Sequence, residues 1–156
     1  MNSYWLEGIN GQKNINKIDG DYEADVSIIG AGIAGLATAY YLAKKGMRII
    51  VVDKDLIGEK TSGHTTAKIT YQHGLIYDYL INAYGKNFAL KYLKANEKAI
   101  SNIEKIIKEE KIDCDFEHQN NLVYTTNKNE IDKIQKEVGA INTLKRRRLC
   151  TICNKM

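Results

Sequence analysis

The chain of 156 residues has no proline, one tryptophan, two phenylalanines and only three cysteines. Three cysteines do not make a disulfide framework, and no charged segment leading into an apolar signal core opens the sequence. Both absences point to a reducing, cytoplasmic setting. Charge of one sign is also scarce over most of the chain. The formal net charge is +4, but the last twelve residues hold five basic side chains (Lys145, Arg146, Arg147, Arg148, Lys155) and no acidic one. The other 18 basic residues stand against all 19 acidic ones in residues 1–144. That near-neutral body excludes a general nucleic-acid-binding surface. No internal repeat is visible. What is present is a 44% hydrophobic content, enough for the core of one domain at this length and too much for intrinsic disorder.

Long apolar runs are likewise few. Val26 to Ala43 is eighteen residues without a formal charge, the length of a membrane-span candidate. Gly30, Gly32 and Gly35 interrupt it, and its amino-terminal flank (Asp19, Asp21, Glu23, Asp25) is acidic. No membrane span is therefore expected.

The spacing of apolar residues orders the chain. Residues 1–23 are polar, with an aromatic pair Tyr4-Trp5, and read as an irregular leader in which Trp5 is a packing anchor. Ala24 to Ile29 is a β-rich run ending at Gly30, as a buried strand would. From Ile33 to Lys45, Leu36, Ala39, Tyr40 and Ala43 recur at helical spacing, and Gly46 stops the pattern where a helix-ending glycine belongs. Met47 to Val52 is a second strand, closed by Asp53. A loop rich in glycine and hydroxyl groups covers Asp55 to Thr70. Leu75 to Tyr84 reads as a short helix, and Phe88, Tyr92, Ala99, Ile103, Ile106 and Ile107 mark one face of a longer one ending near Glu110. Asp115 to Glu117 and Leu122 to Tyr124, separated by His118 to Asn121, read as a β-hairpin. Asn129 to Val138 reads as a final helix.

The chemical signal is Gly30-Ala-Gly32-Ile-Ala-Gly35, a G-x-G-x-x-G between a strand and a helix. Gly30 permits the tight turn, Gly32 lets a pyrophosphate approach the backbone, and Gly35 lets the helix lie close to the strand. Amides at Gly32, Ile33 and Ala34 would face phosphate oxygens, with the helix dipole adding a favourable field. Asp53 follows Gly30 by 23 positions and stands where a carboxylate accepts hydrogen bonds from an adenosine ribose. A carboxylate there disfavours a 2′-phosphate. FAD and NAD share the ADP half that the motif reads. An NAD domain usually continues with another strand and crossover helix, whereas this chain enters a hydroxyl-rich loop, helices and a hairpin, which favours FAD.

The segment Asp19-Gly-Asp-Tyr-Glu-Ala-Asp-Val-Ser-Ile-Ile-Gly-Ala-Gly-Ile-Ala-Gly-Leu, with Thr38-Ala-Tyr-Tyr-Leu, resembles the amino terminus of FAD-dependent amine and amino-acid oxidoreductases of the D-amino-acid oxidase, glycine oxidase and sarcosine oxidase family. Thr61-Ser-Gly-His-Thr-Thr-Ala-Lys-Ile-Thr and Gln72-His-Gly-Leu-Ile-Tyr are similar to a bacterial subgroup whose members often carry a carboxy-terminal Rieske iron–sulfur domain. The resemblance covers about residues 3–140. It implies an α/β fold: a Rossmann-like FAD-binding βαβ unit, then helices, then the start of an antiparallel substrate-domain sheet, left incomplete. It also implies Gly30, Gly32, Ile33, Ala34 and Gly35 at the FAD pyrophosphate, Asp53 at the adenosine ribose with Lys54 beside it, and Thr61, Ser62, Gly63, His64 and Thr65 along the pyrophosphate toward the flavin. His64 aligns with a histidine that some dimethylglycine-type relatives link covalently to flavin. An ordinary hydrogen-bonding loop histidine is the other reading. His73 and His118 read as solvated or turn residues. The implied reaction is hydride removal from the amine-bearing carbon of a small amine or amino acid, with oxygen or an iron–sulfur centre re-oxidising the flavin.

The expected organisation is thus a leader (1–23), the FAD-binding portion with its helical extension (24–111), the beginning of a substrate domain (112–140) and an aberrant basic tail (141–156). Members of the family are more than twice as long as this chain. Lys145 to Met156 departs from the family pattern, and its composition would suit a reading-frame shift shortly after Gly139, giving a truncated fragment without turnover. Cys150 and Cys153 have C-x-x-C spacing but no further ligand pair, Cys153-Asn-Lys-Met156 lacks the aliphatic pair of a prenylation box, and the Lys145-Arg-Arg-Arg148 run is a weak anion-binding hint. The rival readings are a free-standing NAD- or FAD-binding module or subunit, and a small membrane-associated protein.

Overall fold

The computed structural model describes Ser3, Leu6, Ile15 and residues 17–144. Tyr4-Trp5 and the motifs of the basic tail lie outside the described residues. Two compact units are present, Met1–Lys68 and Ile69–Met156.

In the first unit, strand β1 (Val26–Ile29) leads through a glycine turn into helix α1 (Ile33–Ala43) and on to strand β2 (Ile49–Val52). The strands pair in parallel, Val26 opposite Ile49 and Ile29 opposite Val52. A parallel pair needs a crossover, and α1 supplies it. Side chains alternate along β1: Val26 and Ile28 are half-buried, while Ser27 and Ile29 are exposed. The Ile28 methyl lies 3.4 Å from the position a Cβ on Gly35 would take, so α1 packs over the Val26 and Ile28 face. Ile29, on the opposite face, is 91% exposed. At the start of the sheet Arg48 N–H and its guanidinium both donate to Asp25, at 2.8 and 3.0 Å. That pair is exposed and contributes little to stability. The turn that follows the helix closes at Gly46, whose φ of +81° suits glycine.

This geometry divides the uncharged run of residues 26–43 into a strand, a turn and an eleven-residue helix, about 16 Å long against about 30 Å of hydrocarbon. Among the described residues no helix is long and apolar enough to cross a membrane.

The second unit is helical: α2 (Tyr77–Tyr84), α3 (Lys86–Glu109), a 3-10 turn (Lys128–Glu130) and α4 (Ile131–Leu144). Gly85 at φ +82° breaks α2 from α3. The core is Tyr77, Leu80, Ala89, Leu93, Ala140, Ile141 and Leu144, one stripe from each helix. On α3 the buried pair is Ala89 and Leu93, and of the expected Phe88 and Tyr92 only Tyr92, half-buried, packs against this core. Phe88 instead faces outward, its ring 4.9 Å from that of Tyr84.

Two further expectations are corrected here. The final helix does not stop at Val138: it runs through Gly139 to Leu144, because Ala140, Ile141 and Leu144 are buried against the other helices. Apolar burial outweighs the ~1 kcal/mol helix cost of one glycine. The β-hairpin over residues 115–124 is not formed, and that segment is irregular. Asp115 has φ +49°, which breaks an extended run, and Leu122 and Tyr124 are 74% and 79% exposed. Two short strands with no third strand or helix to cover their apolar face do not hold. The antiparallel sheet expected from residue 115 onward is thus absent among the described residues.

Candidate functional site

The site is built on the turn between β1 and α1. Gly30 has φ +107°, a conformation that excludes side chains other than glycine's hydrogen. Its amide donates to the Val52 carbonyl at 2.7 Å, so the turn begins on the sheet ladder. A Cβ on Gly35 would lie 1.9 Å from the Gly30 carbonyl oxygen, and one on Gly32 would lie 3.2 Å from Ser62 Oγ. Each glycine of the fingerprint therefore meets a distinct demand: Gly30 a positive φ, Gly35 helix–strand contact, and Gly32 the approach of another loop. Ile33, Ala34 and Gly35 form the first turn of α1, where peptide dipoles sum to a positive end.

Asp53 follows β2 directly. Its Oδ2 accepts the Ala31 N–H at 2.7 Å and its Oδ1 accepts the Asp55 N–H at 3.0 Å. These backbone hydrogen bonds, Ala31 first, hold its carboxyl below the usual aspartate range, with adjacent Lys54 adding a smaller favourable charge. Asp53 is thus anionic, exposed and aimed by the glycine turn itself.

The second loop reaches the same turn. Thr61–His64 is a 3-10 turn. Ser62 Oγ accepts the Ile33 N–H at 2.9 Å, and Gly58 N–H donates to the Ala31 carbonyl at 3.0 Å. His64 donates from Nδ1 to the Lys60 carbonyl at 2.9 Å, the only sense that bond can have, so the ring closes its own turn. Thr65 leaves in extended conformation and accepts the Ala67 N–H at 3.2 Å. Glu59, Lys60, Thr61 and His64 line an open depression of about 550 Å³.

Of the expected site residues, the structure brings Gly30, Gly32, Ile33, Ala34, Gly35, Asp53 and Ser62 to one turn. Gly63 is buried beneath Ser62, and Thr61 and His64 stand on the outer side of the 3-10 turn. Lys54 is exposed beside Asp53, and Thr65 leads away from the turn. Sequence reading missed the roles of Ala31, whose two backbone groups tie the turn to Asp53 and Gly58, and of Gly58. The only local signal for Gly58 was a glycine in a hydroxyl-rich loop. Among the described residues no group of three His, Cys, Asp or Glu side chains could hold a metal.

Comparison with known proteins identifies the family. The family described as DAO, FAD dependent oxidoreductase, matches residues 25–151. YhfW of Bacillus subtilis (strain 168), described as a Rieske 2Fe-2S iron-sulfur protein, is 44% identical over 124 residues, 80% of this chain and 24% of YhfW. The gamma-glutamylputrescine oxidoreductase of Escherichia coli (strain K12) is 25% identical over 73% of this chain and 27% of its own length. OrdL of Haemophilus influenzae, described as a probable oxidoreductase, is 29% identical over 74% of this chain and 27% of its own. The chain thus spans about a quarter of the length of these relatives. No solved structure matches significantly. With its glycine turn and acidic strand end inside a match that runs over most of the sequence, the chain belongs to the DAO family of FAD-dependent oxidoreductases.

Proposed function

We propose that this chain is the FAD-binding portion of an oxidoreductase that oxidises a small amine or amino acid, and that it does not turn over by itself. The observation that carries the reading is the glycine turn: Gly30 at φ +107°, no room for a side chain at Gly35, and an anionic Asp53 hydrogen-bonded to the same turn. The residues present fit the dinucleotide, because the backbone at Gly32 is bare and the α1 amino terminus offers amides and a positive field to a pyrophosphate.

On this reading β1, α1 and β2 are the opening βαβ unit of a Rossmann-like sheet. Gly32, Ile33 and Ala34 bind phosphate oxygens, and Ser62 gives up its bond to Ile33 to join them. Asp53 accepts the ribose hydroxyls with Lys54 beside it. Thr61, Gly63, His64 and Thr65 line the path toward the flavin, with His64 as a hydrogen-bonding loop residue. When bound, FAD supplies the hydride acceptor for carbon–nitrogen bond oxidation. The protein's part is to fix the adenosine end and so aim the ring. Residues 24–111 carry the cofactor contacts and residues 112–140 open the substrate side. A Rieske domain, suggested by the name of the B. subtilis relative, is the proposed electron partner. The proposed setting is the cytoplasm, without nucleic-acid or membrane partners.

The test is titration of the full chain with FAD and, separately, NAD, followed by thermal melting and flavin fluorescence. FAD should raise the melting midpoint and co-purify as a yellow chromophore. Stabilisation by NAD alone would overturn the reading in favour of a nicotinamide-binding module.

A further inference from the structure

The turn Thr61–His64 is held from a direction the glycine fingerprint does not explain. Gly63 is buried, whereas Thr61, His64 and Thr65 around it are exposed. Two residues from the start of the chain are packed on it. The Ser3 hydroxyl donates to the Gly63 carbonyl. The Leu6 side chain reaches so close that a Cβ on Gly63 would lie 2.8 Å from Leu6 Cδ2, and 2.5 Å from the Gly58 carbonyl oxygen on the other side. Leu6 N–H donates to the Ser3 carbonyl at 3.0 Å, which brings both residues to the same place. Gly63 is thus pressed between Leu6 and the Gly58 backbone. Its neighbour Ser62 is the residue whose hydroxyl holds the Ile33 amide.

We propose that Ser3 and Leu6 are positioning residues for the dinucleotide site: together they clamp Gly63 and thereby hold the Ser62 hydroxyl at the amino terminus of α1. This inference rests on the FAD-binding reading for its ligand, but the clamp itself does not. The loop of residues 55–68 contains no strand or α-helix of its own, so its order depends on contacts with neighbouring segments. Among the described residues, removing the hydroxyl donor and the apolar cover takes away both contacts from the chain start and leaves the Ser62 link to Ile33 and the Gly58 link to Ala31. A segment held by so few contacts opens locally without global unfolding.

The experiment compares the full chain with the double variant Ser3→Ala, Leu6→Ala and with Leu6→Met, which keeps the apolar volume. Amide hydrogen exchange is measured without ligand, and FAD affinity by quenching of flavin fluorescence. In the double variant, exchange at Gly63 and His64 should rise about tenfold while that of Val26–Ile29 and Tyr77–Tyr84 stays unchanged. FAD affinity should fall by a similar factor, and Leu6→Met should behave as the parent does. Unchanged exchange at Gly63 and His64 would overturn the clamp. Raised exchange with unaltered FAD affinity would overturn its role in the site. Failure of the parent chain to bind FAD would remove the FAD-binding reading and the ligand role with it, while the exchange arm still decides the clamp.

Discussion

Gly35 touches the carbonyl of Gly30 so closely that an added Cβ would lie 1.9 Å from that oxygen. The contacting atom is backbone, so no side-chain rotation can relieve the clash. Gly35→Ala must push α1 away from β1 or distort the turn, at a cost of about 1–3 kcal/mol. Urea unfolding followed by far-ultraviolet circular dichroism should show that loss, and FAD binding should fall with it. A variant as stable as the parent would mean that α1 does not lie against β1 as described.

Asp53 offers a pH test. Its carboxyl is held below the ordinary aspartate range by the Ala31 and Asp55 amides. A folded-state pKa depressed in this way contributes order that is complete above the unfolded value of about 4 and is lost as pH falls through the lower folded value. FAD affinity of the parent should be flat from neutral pH through the ordinary aspartate range and drop only as the pH falls through the depressed folded value, where the carboxylate takes up a proton. Asp53→Asn retains one acceptor and places an amide donor against a backbone donor. It should bind FAD about tenfold more weakly at pH 7, with the acid drop removed. Parallel curves for the two proteins would exclude Asp53 as the titrating group.

In the helical unit the decisive polar residue is Glu137, 3% exposed. Its carboxylate accepts the Tyr77 N–H at 3.0 Å, the Asp78 N–H at 2.8 Å and the Gln72 side-chain amide at 2.7 Å. Ile76, at the N-cap position of α2, supplies no side-chain cap, so Glu137 serves as the cap from a distant element. Glu137→Ala leaves three donors without that acceptor and should cost about 3 kcal/mol. Glu137→Gln, which keeps one oxygen, should cost less. Exchange at the Tyr77 and Asp78 amides is the local readout, and protection there in the alanine variant would refute the cap.

The βαβ unit was legible because its signals are local. β-Branched runs, a glycine with positive φ and helical spacing lie within a few residues of one another, and expected and observed bounds differ by two residues at most. Asp53 was legible by its distance from the fingerprint. The end of the last helix was not legible, because only tertiary burial of Ala140, Ile141 and Leu144 carries it past Gly139. The segment 115–124 has strand composition without partners, and composition does not reveal the partner. Glu137 looks like any acidic residue on an amphipathic helix, and Ser3 and Leu6 like part of a polar leader. Their roles depend on contacts across about sixty residues, which no spacing rule encodes.

The Glu137 cap also sets an order of events during synthesis. Its carboxylate lies 60 residues after the Tyr77 amide it satisfies. At roughly 5–20 residues per second, the ribosome delivers Glu137 about 3–12 s after Tyr77. In that interval α2 has neither its cap nor the Ala140, Ile141 and Leu144 side chains that complete its core. The helical unit thus cannot close before Glu137 is made, and a chaperone captured on nascent chains should be found on those arrested before Glu137 and lost from those arrested well beyond it.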